Sequence, residues 1–400
     1  MNKKISLGLA VSLIFLAVAI TITATMLVAM GVYNDIIKDV SARSGVYSTV
    51  SEIDELIRKN YYGEINENLL NTMMSDGYVA GIGDRYSYYM TPDEYARYKE
   101  EEKGNKVGIG VVAVYDGKNN NIYISEVSAG SPAHIQGISK GDVITAVDGV
   151  SVTSGNYKEL LESLEGAKLT NVQVTFVHEG TTSTVSVARG YSAQTVYYSV
   201  MEDVGYIKIN AFYSTTAKEL ESALKYMMDK NIASVIFDVR NNNTGLITNV
   251  VKCIDMIVPV ATEGTNAVAT AVDKNGNIIE TFASDSDSVN FTMIVLVNSN
   301  TSGAAELFAC DLRDFGLARI VGVKTAGNGT MQRIFELNDG SAVALTVAKI
   351  LPYKSDSFNG VGLEPDFVVE LSAEQNERLE MLTYEEDLQY QKAMDILGNK

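Results

Sequence analysis

The chain has 400 residues, enough for two or three domains at ~150 residues each, and with 46% apolar and 20% charged residues it folds rather than staying disordered. Its net charge of −18 argues against nucleic acid, whose phosphates need a basic footprint. Two histidines (His134, His178) and two cysteines (Cys253, Cys310) are too few for structural zinc or a disulfide scaffold. One bridge stays open, and otherwise both thiols behave as small buried hydrophobes.

The first element is the uncharged run Ile5 to Met30. A span needs about 20 apolar residues. Signal-peptide cores are shorter, about 7–15, and end at a small-residue site that does not follow here. An uncleaved transmembrane helix is expected rather than a cleaved signal. Lys3 and Lys4 precede it, which places the N-terminus in the cytoplasm and the bulk outside the cell. The expected organisation is 1–33 anchor, 34–106 helical segment, 107–190 small module and 191–400 core.

Val46, Val50, Ile53, Leu56 and Ile57 recur at helical spacing, and Leu69, Leu70, Met73 and Met74 begin a second pattern. Thr91-Pro92-Asp93-Glu94 reads as a helix start with a capping box. From Val107 to Arg189 short strands dominate, with small helices at 131–137 and 157–164 and a hairpin around Glu179-Gly180. From Val196 onward, strand and helix alternate: strands at 205–209, 233–239, 293–298 and 320–322, helices at 216–228, 246–257 and 302–315. That order predicts an α/β core with a largely parallel sheet.

The core has no histidine, which excludes Ser-His-Asp and Cys-His chemistry there. Neither Gly81-Ile-Gly nor Gly108-Ile-Gly is followed by a phosphate-binding lysine. Asp311 and Asp314, beside Arg313, read as a solvated helix face. The loop Ser299-Asn-Thr-Ser-Gly303 enters a helix N-terminus past a strand end, where N–H groups favour an oxyanion. Such a place suits a serine activated by a desolvated lysine.

These segments resemble the carboxyl-terminal processing (tail-specific) peptidases of bacteria and chloroplasts. Gly83-Asp-Arg-Tyr-Ser87 and Thr91 to Tyr95 resemble the family's entry segment. Gly108-Ile109-Gly110-Val111, Ser131-Pro-Ala133 and Gly141 to Ile144 resemble its PDZ domain. Gly205 to Ile209, Asp238 to Asn242, Val295 to Asn298 and Gly362 to Asp366 resemble its catalytic core. The implied fold is a peptidase-like α/β core of ClpP/crotonase type, a PDZ-like α+β module and the N-terminal transmembrane helix.

The active-site motifs depart from the family's. Its S-A-S-A-S-E loop reads Thr301-Ser-Gly-Ala-Ala-Glu306, with Gly303 at the nucleophile position. Its G-K-G-x-x-Q loop reads Gly327-Asn-Gly-Thr-Met-Gln332, with Asn328 at the lysine position and Gln332 retained. Its N-N-P-G-G turn reads Asn241-Asn-Asn-Thr-Gly245, with Thr244 replacing a glycine of the oxyanion turn. Glycine offers no nucleophile and an asparagine amide no base. The resemblance therefore implies a pseudopeptidase that binds protein C-termini or unfolded segments through Gly108, Ile109, Gly110 and Val111. It would act alone, as a homo-oligomer, or beside an active paralogue, with no cofactor. Two alternatives stand. A shifted Ser302/Lys324 pair would make an active serine peptidase, although Ser302 also reads as a helix N-cap and Lys324 as a loop lysine. A small-ligand site lined by Phe212, Tyr213 and Phe335 is the other.

Overall fold

The computed structural model describes residues 45, 47–103, 107–166, 168–192, 194–260, 267–284 and 288–398, with seven isolated positions between 16 and 30. Apart from those positions, the uncharged run read as an anchor lies outside the described residues. Among the described residues no helix is long and apolar enough to cross a membrane. The chain divides into two compact units, Met1–Met74 and Ser75–Lys400. Helices α1 (47–60) and α2 (Glu67–Ala80) form where the spacing predicts them. Arg58 ties α1 to the start of α2, reaching Asp54 at 2.8 Å and Glu67 at 2.6 Å. Such exposed pairs contribute only about 0–1 kcal/mol.

Strand β1 (Tyr88–Met90) leads into α3 (Pro92–Glu102) through the expected capping box. The Thr91 hydroxyl accepts from the Glu94 N–H at 3.3 Å, and the Glu94 carboxylate accepts from the Thr91 N–H at 2.8 Å. Those bonds hold the Glu94 carboxyl below its usual range.

The small module follows as β2 (Val107–Gly108), β3 (Val111–Asp116), β4 (Asn121–Val127), α4 (Pro132–Ile135), β5 (Val143–Val147), β6 (Val150–Ser151), α5 (Tyr157–Ser163), β7 (Asn171–His178), β8 (Thr181–Ala188) and β9 (Tyr191–Ser192). Its main sheet runs β3-β4-β5-β7-β8, all antiparallel, with β6 on β5. Ile122, Ile124, Ile144 and Val174 alternate inward and are fully buried. The hairpin turn at Glu179 (φ 46°) and Gly180 (φ 80°) has the left-handed pair that suits strand twist. Pairing of β2 with β9 joins the two ends of the module.

The core begins with β10 (Val196–Met201), β11 (Val204–Ile209), α6 (Thr216–Asp229), β12 (Ser234–Asp238) and α7 (Ile247–Asp255). It continues through β13 (Ala267–Val272), β14 (Ile278–Ala283), β15 (Thr292–Val297), α8 (Ala304–Asp314) and β16 (Ala318–Gly322). Strands β17 (Thr330–Glu336), β18 (Ala342–Pro352) and β19 (Phe367–Val368), then helices α9 (Ala373–Glu377) and α10 (Leu388–Gly398), complete it. The sheet β10-β11-β12-β15-β16-β19 is parallel except at its β10 edge. One face packs Phe237 on Phe308 of α8, and the other packs Ile236 and Leu296 against Tyr390 of α10. Burial on both faces explains why β12 and β15 read as continuous apolar runs. Truncating the fully buried Phe308 to Ala would cost about 3–5 kcal/mol.

The largely parallel sheet is only half of the core. Strands β1, β18, β13 and β14, with β17 on β18, make a second, antiparallel sheet. Its long strand β18 buries alternate residues such as Ala342, Ala344 and Ile350, a one-sided pattern of small side chains that gives a weak hydrophobic signal.

The helix face at Asp311 and Asp314 is not solvated as expected. Asp311 is fully buried on α8, where its Oδ1 accepts from the Tyr353 N–H at 3.0 Å. Burial pushes its carboxyl well above the usual range. Asp314 accepts from the N–H groups of Lys354 and Ser355 at 3.1 and 2.7 Å. The two acids are receptors for backbone that follows β18. Cys253 and Cys310 are buried free thiols, and burial pushes the Cys253 thiol up to about 12.

Candidate functional site

Three loops meet past the ends of β12, β15 and β16, where a parallel sheet places its ligands. The first is 298–303. Thr301 is buried, donates its hydroxyl to the Val239 carbonyl at 2.9 Å and accepts from the Asn298 N–H at 3.0 Å. The Ser302 N–H donates to the Asn242 carbonyl at 3.0 Å, fastening this loop to the turn 241–245. The Ala326 N–H donates to the Thr301 carbonyl at 3.1 Å, fastening it to the loop 325–328.

Gly303, not Ser302, is the N-cap of α8, so the capping role expected for Ser302 is corrected by one residue. Gly303 has φ 63° and ψ −114°, a conformation that side chains rarely adopt. A Cβ built there points across the cleft and meets Asn328 Nδ2 at 3.4 Å, with nothing closer. The nucleophile and lysine positions of the motif therefore face each other.

Glu306 holds this frame. It is fully buried in the first turn of α8. Its Oε2 accepts from the Gly303 N–H at 3.0 Å and the Asn328 N–H at 2.7 Å. Its Oε1 accepts from the Gly327 N–H at 2.7 Å and from the Thr325 hydroxyl. A carboxylate at a helix N-terminus is favoured by the dipole, and four donors satisfy it.

The side chains that remain form a neutral chain. Gln332 Nε2 donates to Thr330 Oγ1 at 2.7 Å, and Thr330 Oγ1 donates to Asn328 Oδ1 at 2.6 Å. That direction leaves the Asn328 amide nitrogen toward Gly303 and no proton acceptor of useful basicity between them. Thr244 sits opposite in the turn 241–245, its carbonyl accepting from the Phe212 N–H at 2.9 Å. Gly245 must stay glycine: with φ 131°, a Cβ would lie 2.6 Å from Phe212.

Together these groups line a cleft of about 700 Å³ that contains Ser302, Gly303, Asn328, Gln332 and Thr244. Lys324 is not among its residues. Thr325 bonds Glu306 inside the frame, while Lys324 is exposed and pairs with Glu364 at 2.8 Å. The Ser302/Lys324 pair is thus not brought together. Phe212, Tyr213 and Phe335 do not line the cleft either. Phe212 packs on Phe308 in the core, and Phe335 lies farther along β17, exposed and outside the lining.

Among the described residues lining the cleft there is no Lys or His. The charges present are Arg85, Arg333, Glu102 and Glu280. Burial raises the Glu102 carboxyl, against a hydrogen bond from Asn249 at 3.2 Å that lowers it. The roles of Glu306, Thr330 and Glu102 were not read from sequence. Glu306 carried a signal: an acid three residues into a helix that opens on glycine, the spacing of a capping box.

The histidines lie elsewhere. His134 is exposed on α4, and His178 Nδ1 lies 2.7 Å from Asp142 Oδ1. The small module has its own groove, about 220 Å³, between β3 and α5. Gly108, Ile109, Gly110 and Val111 line it on the strand side. Gly110 has φ 87°, and a Cβ there would lie 2.2 Å from Ser131 Cβ, so only glycine fits.

The fold and the two sites define a peptidase scaffold of α/β type that carries a PDZ domain. The family model described as Peptidase family S41 matches residues 203–369, and that described as PDZ domain matches residues 97–177. A "Probable CtpA-like serine protease" of Staphylococcus saprophyticus is 30% identical over 332 residues, covering 82% of this chain and 66% of its own length. That of Staphylococcus haemolyticus is 29% identical over 366 residues, covering 90% and 71%. The chain thus spans about two thirds of the length of these curated relatives. A solved structure from Bacteroides fragilis, assigned to the S41 proteases, shares the fold with a TM-score of 0.56 at 17% identity, covering 85% of this chain and 91% of that one. The chain belongs to peptidase family S41 and carries a PDZ domain.

Proposed function

We propose that this protein is a pseudopeptidase of the S41 family: an anchored, extracytoplasmic binder of protein C-termini or unfolded segments that has lost hydrolysis. The observation that carries the reading is the Cβ direction at Gly303, which meets the Asn328 amide at 3.4 Å. The position suited to a nucleophile has no side chain, and the position suited to its base is an amide already spent on Thr330. Either loss removes a member of a catalytic unit, which costs orders of magnitude. The supporting frame persists around them through Glu306, Gln332 and the 241–245 turn. Anchoring rests on the length of the run Ile5 to Met30 and on Lys3 and Lys4 before it. Peptide binding rests on the groove at Gly108 to Val111, where an extended tail can lie along β3. A binder of this kind would serve as an adaptor, a decoy or a regulatory partner of an active relative.

Labelling with a fluorophosphonate, which reacts with activated serines, tests the reading. The full-length natural chain should remain unlabelled, and Gly303→Ser combined with Asn328→Lys should label at the introduced serine. Labelling of the natural chain that is abolished by Ser302→Ala would contradict it.

A further inference from the structure

One corner of the core cleft is built apart from the positions facing each other at Gly303 and Asn328. Tyr88 of β1 and Ile334 of β17 both pair with Ala344 of β18, so the three side chains share one face of the antiparallel sheet. All three line the cleft. The short side chain of Ala344, which is buried, makes the floor between two longer ones. Helix α3 lies over this face, where Tyr98 packs against the cluster of Met90, Ala342 and Ala344. Glu102 follows Tyr98 by one helical turn, on the same side of α3, and both line the cleft.

Glu102 is a half-buried carboxyl with no counter-charge. Its Oε2 accepts from Asn249 Nδ2, a neutral donor, at 3.2 Å. No Lys or Arg pairs with it among the described residues. Arg85, in the same cleft, is engaged elsewhere: it donates to the Ala326 carbonyl at 3.3 Å, and its guanidinium lies 4.5 Å from the centre of the Tyr86 ring. Burial and the charge of Glu102 push the phenols of Tyr88 and Tyr98 above their usual range, so both rings stay neutral and close enough to feel that charge. Glu280, on β14, adds a second negative charge to the cleft. A carboxylate drawn partly out of water is unfavourable until a cation joins it. Aromatic rings beside it are the usual partners of an ammonium group.

We infer that this corner is a binding site for an alkylammonium group, carried by a lysine side chain of a bound protein segment or by a small free amine. The alkyl stem lies over Ala344 and Ile334, the ammonium meets the rings of Tyr88 and Tyr98, and Glu102 supplies the counter-charge. The inference goes beyond the lost hydrolysis proposed above and concerns the core cleft, not the PDZ groove.

Calorimetric titration of the full-length chain tests this with the acetylated pentapeptide amide Ala-Ala-Lys-Ala-Ala and its norleucine counterpart. Neither has a free C-terminus, so neither depends on the PDZ groove. The lysine peptide should bind about tenfold tighter. Butylammonium against butanol is the free-amine arm. A preference shown by the peptide pair assigns a protein lysine, and one confined to butylammonium assigns a small amine. Glu102→Gln keeps an oxygen for Asn249 and should bring each pair within about twofold. Tyr98→Phe should keep the preference, whereas Tyr98→Leu should lower it about fivefold, which covers the case in which Glu102→Gln does not fold. No preference in either pair, absence of binding included, overturns the site, as does a preference that survives Glu102→Gln. Hydrolysis of the peptide by the natural chain would defeat the pseudopeptidase reading and leave this site standing.

Discussion

The cleft of the core and the groove of the PDZ domain have fared differently. In the cleft, the proposed loss of chemistry lies in two side-chain positions that face each other, Gly303 and Asn328. In the groove, the proposed peptide binding rests on backbone N–H groups of a loop whose Gly110 leaves no room for a Cβ. Side-chain chemistry can thus be lost while the frame that presented it stays, because Glu306 binds backbone and not the reacting groups. Backbone recognition is lost only by breaking the loop.

Breaking each frame gives the largest expected effects. Glu306→Ala leaves four buried donors without an acceptor and should cost about 3–5 kcal/mol, read as a lower urea midpoint of the full chain. It should leave the affinity of the PDZ groove for a peptide acid unchanged. Gly110→Ala is the counterpart. The Cβ clash with Ser131 and the left-handed φ should cost about 2–4 kcal/mol and abolish peptide binding. A groove that tolerates alanine there would remove the contrast.

A third prediction concerns the floor beneath the cleft. Arg240 and Asp238 are buried together at 2.6 Å, and Asp387 joins Arg240 at 2.8 Å. Burial alone would raise the Asp238 carboxyl, but the charges of Arg240 and Lys208 outweigh it and hold it at about 2. A depressed folded pKa stabilises above the unfolded value and is lost as pH falls through the folded one. The core should therefore lose about 2 kcal/mol between about pH 4 and pH 2. Asp238→Asn should flatten that part of the stability profile.

The smallest effect belongs to the PDZ domain. The hydrogen bond and charge of Asp142 raise the pKa of the exposed His178. A raised folded pKa stabilises below the unfolded value near 6.5 and is lost as pH rises through the folded one. The melting temperature should fall slightly with rising pH above that point, and His178→Asn should remove the slope.

Much of the fold was legible because burial imposes periods. Strands β12 and β15, buried on both faces, read as continuous apolar runs, and the capping box at Thr91 to Glu94 has fixed chemistry. The groove was legible because Gly108-Ile-Gly-Val is a backbone requirement written as glycine. The antiparallel sheet was not, since β18 is rich in small residues and one face carries its signal. Asp311 misled because a carboxylate on a helix is normally solvated, and only the distant segment at Tyr353 explains its burial. Lys324 and Ser302 could not be placed, because each lies in an irregular loop where no period decides which way a side chain points.

The most direct measurement is cleavage of an unfolded substrate with a C-terminal tag by three full-length proteins. These are the natural chain, Gly303→Ser with Asn328→Lys, and Ser302→Ala. The account predicts no cleavage by the natural chain or by Ser302→Ala, and cleavage by the doubly substituted chain at least ~100-fold above background. Cleavage by the natural chain that disappears in Ser302→Ala would contradict it and make the protein a working peptidase.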